Sequence, residues 1–577
     1  MSTIPKQLIL HIFILVIALP FSATAQSKSE TFKLSILHSN DLHSSVRGTG
    51  PNAYFTAKPS DGDAVLGHYG RLAYEIKRQK KIIRAEGRSL LLLDAGDFFA
   101  GSMFHMLTPR KDSSFSPELE YFQMLGYDAV TIGNHEFDAG LTGFLRLLEK
   151  NNSQFNVPLV SSNINVEILP PSTQSFLKKS IKPWILKTFQ GPNGKSYKVA
   201  ILGTLGVNGA MVSAGHREGI RFVGFDDETT REHIDQYHEH LQELVDTIHQ
   251  QEKVQALILV THGGYPEDEA TAKEVEGIDL IIAGHTHIPY HRLKDVNGVK
   301  IAQAGSTGQY LGRLDFEIAD GKLKFVGDHD KVLTTIDDHI PTDPETMAKI
   351  DSWQAELDRF QELFTYEAQA KIFSSSKIWQ QDRTYANVMT DILLDGLHKS
   401  DFESTDLYMS TLSLIRGVVK GNPENPTSYE FADVFRIFPL GFDKDLNPGS
   451  PVVRFHLNKW DLRKLLRFIE LYHITKPRFI PGYSKDLSYE LRSWGIPFIN
   501  RIKNLRLKGL EFKDWPELIS IAASKYMADY IPKINGMSYG FVEIQMRDSS
   551  GRSIPQPKVI KGAKEFLLFS KGDHSEL

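Results

Sequence analysis

The 577-residue sequence contains no cysteine at all. That absence excludes thiolate metal sites, disulfide scaffolding, a cysteine nucleophile and a lipid-modified N-terminal cysteine. No long basic run interrupts a formal net charge of −5, so the electrostatic footprint of a nucleic-acid polymer is missing. A phosphate-bearing partner would therefore be a small molecule held by a local site. Beyond residue 26 no apolar run approaches bilayer-spanning length, and the chain has no internal repeat or low-complexity tract. With 41% hydrophobic and 24% charged residues, the composition is that of a globular chain long enough for two or more complete cores.

The first residues read as an export signal. Lys6 precedes the apolar run LILHIFILVIALPF, and the segment ends SATAQ, with Ala23 and Ala25 in the small-x-small arrangement of a cleavage site. The expectation is a signal peptide over residues 1–25 and a mature protein that is periplasmic or secreted and free of the membrane. An anchor is the competing reading, disfavoured by the short run and by Pro20 near its end.

From residue 31 to about 338, short apolar runs alternate with amphipathic stretches such as GRLAYEIKRQKKI, which predicts an α/β domain with buried sheets. The segment PTDPETMAKIDSWQAELDRFQELF follows. Met347, Ile350, Trp353, Leu357, Phe360 and Phe364 recur three or four apart, predicting one long linker helix within 339–372, capped by Thr342 or Asp343. Residues 373–577 have a mixed α+β texture and form a second domain in this reading.

Most apolar runs of the first domain end in potential metal ligands: Asp41 and His43, Asp97, Asn134 and His135, His262, and His285 and His287. Groups at the carboxyl ends of neighbouring strands converge on one rim. Each motif alone is more often an ordinary loop, but their joint occurrence in one domain points to a metal site. The O/N donor mixture suits borderline or hard divalent ions.

Asp-x-His, Gly-Asp, Gly-Asn-His-Glu, a single His and Gly-His-x-His, in that order, resemble the calcineurin-like metallophosphoesterases. The longer forms NDLHS and GNHEFD and the second domain resemble the secreted two-domain 5′-nucleotidases, a family that includes UDP-sugar hydrolases and 2′,3′-cyclic phosphodiesterases. The resemblance implies a β-sandwich flanked by helices, a mixed α+β specificity domain, and hydrolysis of a small phosphate ester using two divalent ions (Mn, Zn, Co or Mg). It assigns Asp41, His43 and His287 to one ion, Asn134, His262 and His285 to the other, and Asp97 to both. His135 becomes the catalytic imidazole and Asp138 its partner, although Asp138 also suits the N-cap of the helix that follows. Glu136 is expected to be structural. Arg383, Arg416, Phe442 and Tyr539 are the expected substrate contacts. Here the sequence departs from the family: Pro439-Leu440 stands where nucleoside-binding members carry Pro-Phe, and Asn535-Gly536-Met537-Ser538-Tyr539 replaces a Gly-Gly-Asp-Gly-aromatic loop. A non-nucleotide phosphate or a sulfur-linked substrate is therefore the alternative, and a metal-binding protein without turnover a more distant one.

Overall fold

In the computed structural model, the described residues are 31–577 apart from 60–62, 64, 192–193, 215–218, 225–230, 320, 401, 403, 477–478, 493–500 and 539. The expected signal peptide and Tyr539 lie outside them. Among the described residues no helix is long and apolar enough to cross a membrane.

Two large sheets make the body of the first domain. One has the order β12-β11-β1-β2-β3-β4, with β13 also pairing β11. Its central strands are β1 (Phe32–Ser39), β2 (Ser89–Asp94), β3 (Ala129–Thr131) and β4 (Leu159–Val160), and β11 (Tyr310–Ala319), β12 (Lys322–Phe325) and β13 (Leu333–Thr335) close it. The other has the order β9-β10-β8-β7-β6-β5. It comprises β5 (Trp184–Gln190), β6 (Ser196–Thr204), β7 (Ala256–Thr261), β8 (Leu280–Ala283), β9 (Lys294–Val296) and β10 (Val299–Ala302).

The sheets pack face to face, as a β-sandwich. Leu34, Ile36, Leu91 and Leu93 share one buried cluster with Val199, Ile201, Ile258, Val260, Leu280 and Ile282. Their neighbours Leu37, Leu92, Ala200, Leu202, Leu257 and Leu259 turn to the opposite, helix-covered faces. Strands buried on both faces have no polar side to show, so they read as unbroken apolar runs. The strand register brings the ligand-bearing ends into line. Ser39 pairs with Asp94 and Asp94 with Val130, while Thr261 pairs with both Thr204 and Ala283.

The linker helix spans Pro344–Asp358, shorter than the periodicity predicted. Asp343 is its N-cap and accepts a hydrogen bond from Thr346 N at 3.0 Å. The helix is fastened to the first domain: Trp353 is fully buried and donates from Nε1 to Glu120 at 2.6 Å. After Asp358 the chain tightens into a short 3-10 turn, Gln361–Leu363, and tertiary packing takes over. Phe360 lies under the Arg110 guanidinium at 4.3 Å, and Phe364 meets Phe431 and Phe566 of the second domain. Those rings continue the apolar spacing without continuing the helix.

The second domain is built on a sheet of order β16-β14-β17-β15-β18, where β14 is Leu407–Thr411, β15 Pro451–Asn458, β16 Pro481–Tyr483, β17 Leu518–Ser524 and β18 Lys558–Lys564. Several contacts join it to the first domain. Arg436 donates to the Gly48 carbonyl at 2.6 Å, Asp433 accepts from Asn52 N at 2.9 Å, and Tyr526 donates to the Val212 carbonyl at 3.2 Å.

Replacing Glu120 with Ala strands the buried Trp353 N–H, which should cost about 1–3 kcal/mol. The expected result is a lower urea midpoint for Glu120→Ala than for Lys349→Ala, which removes only the half-exposed ion pair on the same carboxylate. Equal midpoints would mean that the indole hydrogen bond does not fasten the helix.

Candidate metal centre

At the common rim the predicted ligands meet. Donor atoms of Asp41, His43 and His287 lie within 4.8 Å of one another, and so do those of Asp97, His262 and His285. A third such group joins His43, Asp97 and His135 across the gap. Asn134 Oδ1 lies 2.9 Å from His285 Nδ1. All of these side chains are buried except His285 and His287, which are half-buried.

The donor chemistry fits cations. His262 donates from Nδ1 to the Ala95 carbonyl at 2.7 Å, which leaves a lone pair on Nε2. That buried nitrogen faces Asp97 Oδ2 at 2.9 Å without hydrogen-bond geometry. His43 Nδ1 likewise faces the Phe99 and Ala100 carbonyls, at 3.3 and 3.1 Å, and its Nε2 meets His287 Nε2 at 3.0 Å. Lone pairs converging at such distances repel unless positive charge sits among them. When no cation is bound, a proton on His262 Nε2 supplies that positive charge. Burial pulls His262 down, yet the Asp97 charge outweighs it and raises the imidazole to about 10. Burial would raise Asp97, but the charges of His262 and His135 hold it well below the usual carboxylate range. Burial, with neighbouring His262, lowers His285 to about 3, so its imidazole stays neutral.

The backbone is strained to achieve this. Asp41, His43, Asp97, His285 and His287 all have positive φ, from 49° to 71°. Non-glycine residues rarely adopt that region, and its persistence at one site is a mark of function. Three buried polar side chains hold the loops. Glu136 accepts from Gly133 N, Asp97 N and Phe99 N at 2.6, 3.1 and 3.0 Å, knitting the turns after β2 and β3 together. Asn40 donates to Asp41 Oδ2 at 2.7 Å and to the Gly305 carbonyl at 2.6 Å. Gln303 accepts from Ile288 N and donates to the Gly284 carbonyl, so it spans the His285–His287 turn. The sequence reading gave Asn40 and Gln303 no role. Asn40 stands within the Asn-Asp-x-His motif, but nothing local marks Gln303, whose function depends on a contact across the turn.

His135 lies at the centre. Its Nδ1 donates to Asp138 Oδ2 at 2.8 Å, and its Nε2 accepts from Arg416 Nη2 at 2.8 Å. The helix after this turn starts at Gly140 with Ala139 at its N-cap, so Asp138 serves the imidazole and not the helix. Arg416, from the second domain, is thus brought to the cluster. Arg383 is not: its three hydrogen bonds among the described residues go to Glu470 and Tyr489 inside the second domain. Phe442 packs parallel to Phe99, with centroids 5.8 Å apart, so one of its faces is already covered.

Comparison with known proteins accords with this geometry. The sequence model of the calcineurin-like phosphoesterases matches residues 34–289, the span that holds every residue of the cluster except Arg416. Residues 34–289 are thus similar to the calcineurin-like phosphoesterases as one domain of this chain. The chain is 30% identical over 359 residues to the trifunctional nucleotide phosphoesterase protein YfkN of Bacillus subtilis, covering 57% of this chain and 21% of the relative. It is 29% identical over 347 residues to the 5′-nucleotidase of Bos taurus, covering 57% and 54%. The chain therefore spans about half or less of the length of these relatives. The two-domain fold extends over almost the whole chain. The 5′-nucleotidase precursor of Thermus thermophilus superposes with a TM-score of 0.67 at 18% identity, covering 94% of this chain and 96% of that one. The sulfate thiohydrolase SoxB of the same organism superposes with a TM-score of 0.60 at 16% identity, covering 92% and 97%.

Gly133 permits a close approach in the site: a Cβ there would lie 2.3 Å from Asp97 Oδ1 and 2.6 Å from Asp97 N. Gly133→Ala should displace Asp97 and lower the divalent-cation content of the purified protein, measured by elemental analysis. Full metal content in that variant would remove Asp97 from the donor set.

Proposed function

We propose that the protein is an exported metal-dependent phosphoesterase that hydrolyses small phosphate esters, with 5′-nucleotides as the first substrate class and 2′,3′-cyclic nucleotides and UDP-sugars as further candidates. The observation that carries this reading is the His135 imidazole held between Asp138 and Arg416, beside two sets of inward-facing O and N donors. Asp41, His43 and His287 would hold one divalent ion, Asn134, His262 and His285 a second, and Asp97 would serve both. Such a pair polarises a phosphoryl oxygen and makes a water molecule acidic enough to ionise near neutral pH.

The chain's own residues do the rest. Asn134 offers a neutral carbonyl oxygen, adding no negative charge beside Asp97. Asp138 fixes the His135 tautomer and favours a proton on the imidazole as charge develops on the leaving oxygen. In this role His135 Nε2 gives that proton to the leaving group, and Arg416 turns from the imidazole to the phosphoryl oxygens, which suit a guanidinium fork. Export rests on the Lys6-to-Ala25 segment.

A second reading, hydrolysis of a non-nucleotide phosphate ester, is favoured by the interface next to Arg416. Leu440 is buried against Leu414 and Tyr526 and supplies no ring, while Phe442 has one face on Phe99. Base stacking is worth about 1–3 kcal/mol per base on comparable platforms, so losing one face blunts nucleoside preference. Assay of the mature protein with Mn²⁺ or Zn²⁺ against nucleotides, cyclic nucleotides, UDP-glucose and sugar phosphates separates the two readings by kcat/KM. His135→Ala should lower turnover by on the order of 10²–10⁴-fold while metal content stays near wild type. Undiminished turnover would exclude the role given to His135.

A further inference from the structure

Ser44, the residue after His43, is held from outside the donor sets. Its backbone is left-handed, with φ of 47°, as are those of Asp41 and His43 in the same turn. Side chains other than glycine are disfavoured in that region, so the turn persists only where its surroundings hold it. On one side the N–H groups of Asp41, His43 and Ser44 donate to the carbonyls of Gly96, Asp97 and Phe98. On the other, Ser44 Oγ donates to Glu118 Oε1 at 2.5 Å.

Glu118 is fully buried in the first turn of the helix Pro117–Leu125. An acidic residue at that position ordinarily serves the N-terminus of its own helix. Here both oxygens also serve hydroxyls from other segments, because Oε2 accepts from Thr108 Oγ1 at 2.5 Å. Burial raises the Glu118 carboxyl, and the Ser44 and Thr108 hydroxyls oppose it. Hydrogen bonds of this length to an ionised oxygen belong to the strong class. The same helix carries Glu120, which receives the Trp353 indole. The carboxylate that holds the His43 turn is thus mounted on an element fastened to the linker helix. Ser102 Oγ adds a bond to the Ser44 carbonyl at 2.6 Å, and a Cβ at Gly101 would overlap the His43 carbonyl.

We propose that Glu118 is a positioning residue for the metal centre. Through Ser44 it fixes the turn that aims His43, and so governs the affinity of the ion assigned to Asp41, His43 and His287. This inference rests on the two-ion reading given above. The other ion, assigned to Asn134, His262 and His285, takes none of those three ligands from this turn.

Chelator competition on the metal-loaded full chain, followed by elemental analysis, counts the ions and ranks their affinities. Ser44→Ala removes the link on the ligand side and keeps the carboxylate. Thr108→Val removes the other hydrogen bond of the same carboxylate and leaves the turn untouched. Glu118→Ala removes both, and Glu118→Gln keeps the shape and one oxygen for Ser44. The expected result is that Ser44→Ala and Glu118→Ala weaken one ion about tenfold and leave the other as in wild type. Glu118→Gln should restore that ion, and Thr108→Val should hold both as wild type does. If Glu118→Ala fails to fold, Ser44→Ala decides. The assignment is overturned if Ser44→Ala holds both ions as tightly as wild type, weakens both alike, or is matched by Thr108→Val. A wild type that never holds two ions overturns the two-ion reading itself.

Discussion

Repulsion among lone pairs is the constraint around which this molecule is arranged. Imidazole nitrogens and carboxylate oxygens point at one another across about 3 Å inside a protein interior, where water cannot screen them. Only positive charge makes the arrangement favourable, and the fold resists dispersing the groups. The ligand turns sit at the ends of strands whose two faces are both packed, so no strand can slip without exposing its apolar side chains. The left-handed backbone at five ligand positions is the local cost of aiming the side chains inward.

The supporting residues explain how that strain is tolerated. Glu136 supplies two oxygens to three backbone N–H groups, which would otherwise be buried without acceptors in a turn too tight for secondary structure. Gln303 likewise accepts from Ile288 N beside the His285 turn, while Asn40 donates to Asp41 Oδ2 and to the Gly305 carbonyl. These contacts also explain why a polar cluster such as Asn134 to Asp138 can be buried: each side chain has a defined partner, and the ligand atoms are the ones left facing inward.

The second domain completes the site instead of merely covering it. Arg416 reaches His135 from across the interface, and the loop following His43 is gripped by Arg436 and Asp433. Phe442, Phe99 and His105 pack at the same boundary. The candidate metal donors come from one domain, but the charge that faces the His135 imidazole comes from the other. Changes at the interface can therefore alter the surroundings of His135 while leaving the donor sets intact.

The sequence by itself determined the candidate donor set, because each candidate is a short motif at the end of an apolar run and a strand end needs no distant information to be recognised. It also determined the α/β character of the first domain, through strands buried on both faces. Tertiary structure decided what depended on partners far along the chain. The linker helix ends at Asp358 because Phe360 and Phe364 find ring and guanidinium partners in other elements, although their spacing alone continues a helix. Asp138 could have capped a helix or served His135; the short turn before Gly140 gave it to the imidazole. Arg383 and Arg416 look equally available as cations, yet one is neutralised by Glu470 within its own domain and the other crosses the interface. A side chain's identity fixes the charge it brings; which opposite charge it meets is a property of the folded chain.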